Sequence, residues 1–334
     1  MGRPVVTSAH VEKHVPRETA SYVGGKPSRG SAPRGAPSPV DSFDLTTPIG
    51  AAAAAAVEAL TQQRQHPFPR PTKRRLIVVA NQKGGVGKTT TTVNLAAGLA
   101  MHGLRVLCID LDPQGNASTA LGVDHRSGVP SIYEVMLGDR PMDEVVVESS
   151  EAPGLLVAPA TIDLAGAEIE LVSVVARETR LRRAIAGFTG DVDYVLIDCP
   201  PSLGLLTVNA LVAARELLIP IQCEYYALEG LGQLLRNVEL VQSHLNQELR
   251  LSTILLTMYD SRTRLADQVV HEVKEHFGER VLSTTIPRNV RIAEAPSYGQ
   301  SVLSYDPASR GSLSYLAAAR ELAERGADPN GPAR

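Results

Sequence analysis

The stretch Leu76-Ile-Val-Val-Ala-Asn-Gln-Lys-Gly-Gly-Val-Gly-Lys-Thr-Thr90 decides the fold. Its first five residues are apolar and mostly β-branched, as in a strand buried on both faces. Its last residues open a segment with Val93, Leu95 and Leu99 on a helical period. Between the two, Lys83-Gly84-Gly85-Val86-Gly87-Lys88-Thr89-Thr90 forms a glycine-rich loop. Glycines let successive backbone N–H groups turn toward one anion, and the following helix points its positive end at the same place. Such a loop binds phosphate. The spacing departs from G-x-x-x-x-G-K-[ST], because Gln82 stands where the first glycine belongs and a second lysine, Lys83, opens the loop. In this chemistry Lys88 reaches the β- and γ-phosphates of a nucleoside triphosphate and the Thr89 hydroxyl ligates Mg²⁺.

Downstream, short apolar runs alternate with longer helical patterns. Strands are expected at Leu76–Asn81, Arg105–Asp110, Gly154–Ala158, Tyr194–Asp198, Glu216–Ile221, Ser252–Met258 and Val281–Thr285. Helices are expected at Lys88–His102, Asp163–Phe188, Leu203–Ala214, Ala227–Asn246, Ala266–Phe277 and Gly311–Arg325. This alternation predicts an α/β fold, a P-loop nucleotide-binding domain with a mostly parallel twisted sheet flanked by helices. Two strands end in acid. Val106–Ile109 runs into Asp110-Leu-Asp112-Pro-Gln-Gly-Asn116, and alternation along the strand predicts Asp110 and Asp112 on one side, toward the phosphates. Tyr194–Ile197 runs into Asp198-Cys-Pro-Pro, the pattern of a strand whose terminal aspartate holds Mg²⁺ directly or through water.

Lys83–Thr90, Asp110–Asn116 and Asp198–Ser202 together resemble the ParA/Soj branch of the ATPases with a deviant Walker A loop. The likeness runs from about Leu76 to Arg325 and takes in Thr257–Arg262, Ile286–Arg291 and Glu294–Gly299. It implies that Lys83 reaches across a two-fold interface to the phosphates of a partner's ATP, so that ATP·Mg²⁺ makes a sandwich homodimer. It implies that Asp112 positions the attacking water, that Thr89, Asp110 and Asp198 surround Mg²⁺, and that Pro287, Arg288 and Asn289 surround the adenine. Arg262 and Arg291, with Arg264 and Arg310 as neighbours, match arginines that contact the DNA backbone without reading sequence. A ParB-like centromere-binding protein is the implied partner that stimulates hydrolysis, which is otherwise slow. No arginine finger is evident in the chain itself.

The 334 residues are 43% hydrophobic, with a net charge of -3. Such a charge gives no global attraction to DNA, so binding must come from a local cluster of arginines. No stretch reaches the roughly 18 apolar residues of a membrane span, and the C-terminal segment lacks the bulky apolar and basic face of a membrane-lying helix. Membrane binding is therefore not expected. Nor is a signal peptide, and the expected location is the cytoplasm, associated with the nucleoid. Cys108, Cys199 and Cys223 are too scattered for a disulfide frame or a shared cluster. Residues 1–74 are rich in Pro, Gly, Ser and Ala and read as a disordered tail, with a marginal helix around Ile49–Arg64 and with a polar scaffold as one conceivable partner. The ATPase domain is expected over 75–326, followed by a flexible end over 327–334.

Overall fold

The computed structural model describes residues 67–224 and 229–327. The strands are β1 (Arg75–Val79), β2 (Val106–Asp110), β3 (Val147–Glu148), β4 (Leu155–Ala158), β5 (Tyr194–Asp198), β6 (Glu216–Gln222), β7 (Arg250–Tyr259) and β8 (Val281–Pro287). The helices are α1 (Lys88–Met101), α2 (Asn116–Ala120), α3 (Ile132–Leu137), α4 (Leu164–Glu170), α5 (Arg180–Gly187), α6 (Leu205–Ala213), α7 (Glu229–His244), α8 (Arg264–Phe277), α9 (Val290–Glu294), α10 (Val302–Tyr305) and α11 (Arg310–Gly326).

One sheet has the order β3-β4-β2-β5-β1-β6-β7-β8. Every strand pairing in it is parallel except β3 with β4. All five residues of β2 and of β5 are buried, as a sheet covered on both faces requires. Alternate strand residues divide between two cores. Val78, Leu107, Ile109, Val195 and Ile197 face α3, α5, α6 and α7. Ile77, Val79, Val106, Cys108 and Leu196 face α1 and α11. The latter two helices cross closely, since a Cβ on Gly98 would lie 3.0 Å from that of Ala319. No helix among the described residues is long and apolar enough to cross a membrane, and the three cysteines are buried free thiols.

The structure departs from the sequence reading in four places. The helix expected over Asp163–Phe188 is two helices, α4 and α5, separated by 3₁₀ turns at Leu171–Ser173 and Arg177–Thr179. Ile169, Val172 and Val175 in that stretch point outward, at 78%, 64% and 88% exposure, and Ala176 takes a left-handed φ of 56°. The apolar residues there are turned away from the core that a continuous amphipathic helix would cover. Second, β3, α2, α3, α9 and α10 went unpredicted because two to six residues are too few to display a strand or helical period. Third, the domain begins before residue 75. Phe68 is 5% exposed, its N–H donates to His102 O at 3.0 Å, and its ring stacks on His102 at 4.1 Å with the Arg320 guanidinium 5.6 Å away. Fourth, Ala327 bridges Pro71, so the C-terminal end starts beyond it. The tail through residue 66, the Ile49–Arg64 helix, the beginning of the Ala227–Asn246 helix and residues 328–334 lie outside the described residues.

Candidate nucleotide site

The phosphate loop joins the C-terminal end of β1 to α1. Gly85 and Gly87 have φ of 73° and 89°, a left-handed backbone that favours glycine. A Cβ on Gly84 or Gly85 would meet nothing within 4 Å, so this side of the loop faces open space. Thr257 on β7 pins the loop, its hydroxyl donating to Val86 O at 2.8 Å.

Lys88 is 7% exposed and donates to Lys83 O at 3.3 Å. Burial pushes its ammonium below the usual lysine range, opposed by the charges of Asp198 and Asp112. Its one direct partner among the described residues is a neutral carbonyl, which leaves a buried cation suited to an anion. Thr89 donates to Asp198 Oδ2 at 2.7 Å, and Thr92 to Asp198 Oδ1 at 3.1 Å.

Strand register sets Asp110 directly beside Asp198. Both are wholly buried, and both carboxyls are pushed upward by burial, with the charge of Asp110 adding to the shift at Asp198. Two carboxylates in one dry place, one of them bonded to the Thr89 hydroxyl, form a donor set of hard oxygens that suits Mg²⁺. Asp110 is also occupied structurally, accepting from Ser118 N and Oγ at 2.8 Å each and from Asp112 N at 3.1 Å. That last bond corrects the alternation expected for Asp110 and Asp112. The strand ends at Asp110, and a turn, rather than the pleat, carries Asp112 round. Asp112 is 8% exposed and accepts from Gln114 N at 3.0 Å.

Sequence comparison gives these features a family. Residues 74–251 match the AAA domain family. The chain is 53% identical over 252 residues to the sporulation initiation inhibitor protein Soj of Bacillus subtilis, covering 75% of this chain and 99% of that protein. It is 52% identical over 260 residues to the chromosome partitioning protein ParA of Myxococcus xanthus, covering 78% of this chain and 91% of the relative. This chain belongs to the ParA/Soj family of chromosome-partitioning ATPases. Among solved structures, the cobyrinic acid a,c-diamide synthase of Mycobacterium smegmatis with bound ATP analogue and magnesium superposes with a TM-score of 0.65 at 42% identity, covering 75% of this chain and 93% of that one.

In this ParA/Soj chain the residues matched to the adenine edge and to DNA spring from neighbouring strand ends. Tyr259 at the end of β7 is paired with Pro287 at the end of β8, and Arg288 N donates to Tyr259 O at 3.0 Å. Asn289 caps α9 by accepting from Arg291 N at 2.8 Å. Arg262 is ion-paired with Asp260 at 2.8 Å, and Arg291 with Glu294 at 3.0 Å and Asp306 at 3.3 Å. Their side chains are 85% and 54% exposed, so these pairs are weak and leave both cations reachable.

Sequence reading missed Glu224. It follows β6, and its carboxylate lies 3.4 Å from Lys83 Nζ and 3.4 Å from Arg288 Nη2. Nothing in the local sequence marks it, because its role comes from β6 lying beside β1.

Proposed function

We propose that this chain hydrolyses ATP and uses the nucleotide to switch its own pairing and its hold on DNA. The observation that carries the reading is the buried Lys88 behind an open glycine loop, with Asp198, Asp110 and the Thr89 hydroxyl grouped at the same strand ends. ATP lies along Lys83–Thr90, with its adenine at Pro287–Asn289. Thr89, Asp198 and Asp110 would hold Mg²⁺, which when bound would supply neutralisation of the phosphate charge. Lys83, at the exposed start of the loop, serves a second copy's phosphates, so that ATP joins two chains into a sandwich dimer.

Pairing places Arg262 and Arg291 of both copies on one surface. Two weak sites joined together bind a duplex far better than either alone, which makes dimerisation a switch for nonspecific DNA binding without a change of fold. Asp112 orients water for hydrolysis. The turnover is slow until a ParB-like partner acts, and hydrolysis then releases the chain from DNA, which drives chromosome or plasmid partition. Residence on the nucleoid follows, and residues 1–74 offer a segment through which a polar scaffold could hold the protein.

Steady-state ATP turnover, with and without duplex DNA and a centromere-loaded ParB-like protein, tests the reading. Turnover is expected to rise with both together, and Asp112→Ala is expected to abolish it while leaving an ATP-bound dimer on DNA. Wild-type turnover in the Asp112 variant would remove its assigned role. ATP consumption that needs a carboxylic acid such as cobyrinic acid and ignores DNA would favour a diamide synthase, as the Mycobacterium smegmatis relative is named.

A further inference from the structure

We infer that Glu224 is a positioning residue that keeps Lys83 on its own subunit until a triphosphate arrives, and so sets the ATP concentration at which two copies pair. The inference rests on the role given to Lys83 under Proposed function. Glu224 is the one carboxylate found bridging Lys83 and Arg288 among the described residues, with Oε2 3.4 Å from Lys83 Nζ and Oε1 3.4 Å from Arg288 Nη2. Gln222 donates to the same Oε1, which orients the carboxylate between the two cations. Lys83 opens the phosphate loop and Arg288 follows β8, so a single acid ties together the two loops between which the proposed function puts ATP.

The strength of the tie matters. Lys83 and Glu224 side chains are 35% and 45% exposed, and Arg288 is 61% exposed, so both pairs are solvent-screened. Such pairs are weak enough for a polyanion to break. A triphosphate offers Lys83 more negative charge than one carboxylate does, whereas a diphosphate offers less of an advantage. Glu224 therefore discriminates between ATP and ADP by competing for the same cations, and its own charge opposes any nucleotide that fails to draw Lys83 away.

The test compares full-length wild type with Glu224→Gln, a near-isosteric change that removes charge and keeps a hydrogen-bonding group. Dimerisation is followed by light scattering across an ATP titration and an ADP titration. Separately, the rate at which an amine-directed reagent modifies Lys83 without nucleotide is read by mass spectrometry, with Lys73 as the internal control. The expected results are a midpoint for ATP-dependent pairing lowered by about 3- to 10-fold, as the loss of two screened pairs allows, measurable pairing with ADP, and Lys83 modified several-fold faster while Lys73 is unchanged. An unchanged Lys83 rate, or a higher ATP midpoint in the variant, would overturn the inference. If wild type fails to pair with ATP at all, the proposed function falls, while the Lys83 rate still decides whether Glu224 restrains the lysine.

Discussion

The two ends of β1 carry buried charge of opposite kinds. At its start, Arg75 makes a bidentate pair with Glu216, Nε to Oε1 at 2.8 Å and Nη2 to Oε2 at 2.6 Å, and its remaining amine donates to Leu322 O at 2.6 Å. Burial pushes the Glu216 carboxyl up, but the hydrogen bonds and charge of Arg75 outweigh it and hold the carboxyl below its ordinary range. At the other end, Lys88 has a carbonyl for a partner, and Asp110 and Asp198 crowd each other without an ion-paired cation among the described residues. The first cluster is closed and ties β1, β6 and α11 together. The second is open, and charge left in that condition costs stability unless a ligand answers it. The same fold thus separates a charge pair that serves structure from charges left open to a ligand, as the proposed nucleotide site requires.

If that contrast holds, removing charge at the two ends has opposite effects on the chain and its ligand. Lys88→Ala should have the largest effect, lowering affinity for a fluorescent ATP analogue by roughly 100-fold or more, as loss of a buried charge partner does, with the melting temperature nearly unchanged. Retained affinity would break the contrast at once.

Glu216→Gln should come next, destabilising the chain by about 3 kcal/mol at pH 7 in a urea titration because it strands a buried guanidinium. The sign with pH follows from the lowered carboxyl. Its contribution is complete above its unfolded pKa and is lost as pH falls through the lower folded value, so wild type and variant should converge in acid. A variant as stable as wild type at pH 7 would show that the closed pair does not hold the sheet.

Asp198→Asn should have a small effect on the free chain, leaving it as stable as wild type or more stable by about 1 kcal/mol, since the amide needs no proton taken up to stay neutral in that buried place. The Asp198 carboxyl is pushed up to about 8, so the folded chain keeps a proton that the unfolded chain releases. Wild-type stability should therefore fall as pH rises toward 8, and the variant should fall less steeply. With ATP and Mg²⁺ the order should reverse, with wild type gaining melting temperature and the variant gaining little. A free Asp198 variant that is markedly less stable would place this aspartate with the structural charges instead.

The open cluster was readable in the sequence because each member ends a strand or begins a helix. Asp198 closes an unbroken apolar run, and Lys88-Thr89 open α1 after glycines that only a tight loop needs. The mostly parallel sheet was readable for the same reason, since its central strands are buried on both faces and show as continuous apolar segments. What escaped depends on strand order or on contacts made far along the chain. Glu224 becomes part of the site only once β6 lies against β1, and Thr257 only once β7 lies against β6. Phe68 sits among Pro and polar residues that carry no period, and its burial depends on His102 and Arg320, which lie far along the chain. The break between α4 and α5 escaped because Ile169, Val172 and Val175 look like a core stripe in sequence and stand exposed in the fold.

The most direct test of the nucleotide switch is the binding of a nonspecific duplex with ATP, with ADP and without nucleotide, for wild type and Arg291→Glu. Wild type should bind only with ATP, lose affinity steeply with salt at a slope of about -0.9 per phosphate neutralised, and lose binding in the variant. Equal binding in all three nucleotide states, or none in any, would contradict the switch.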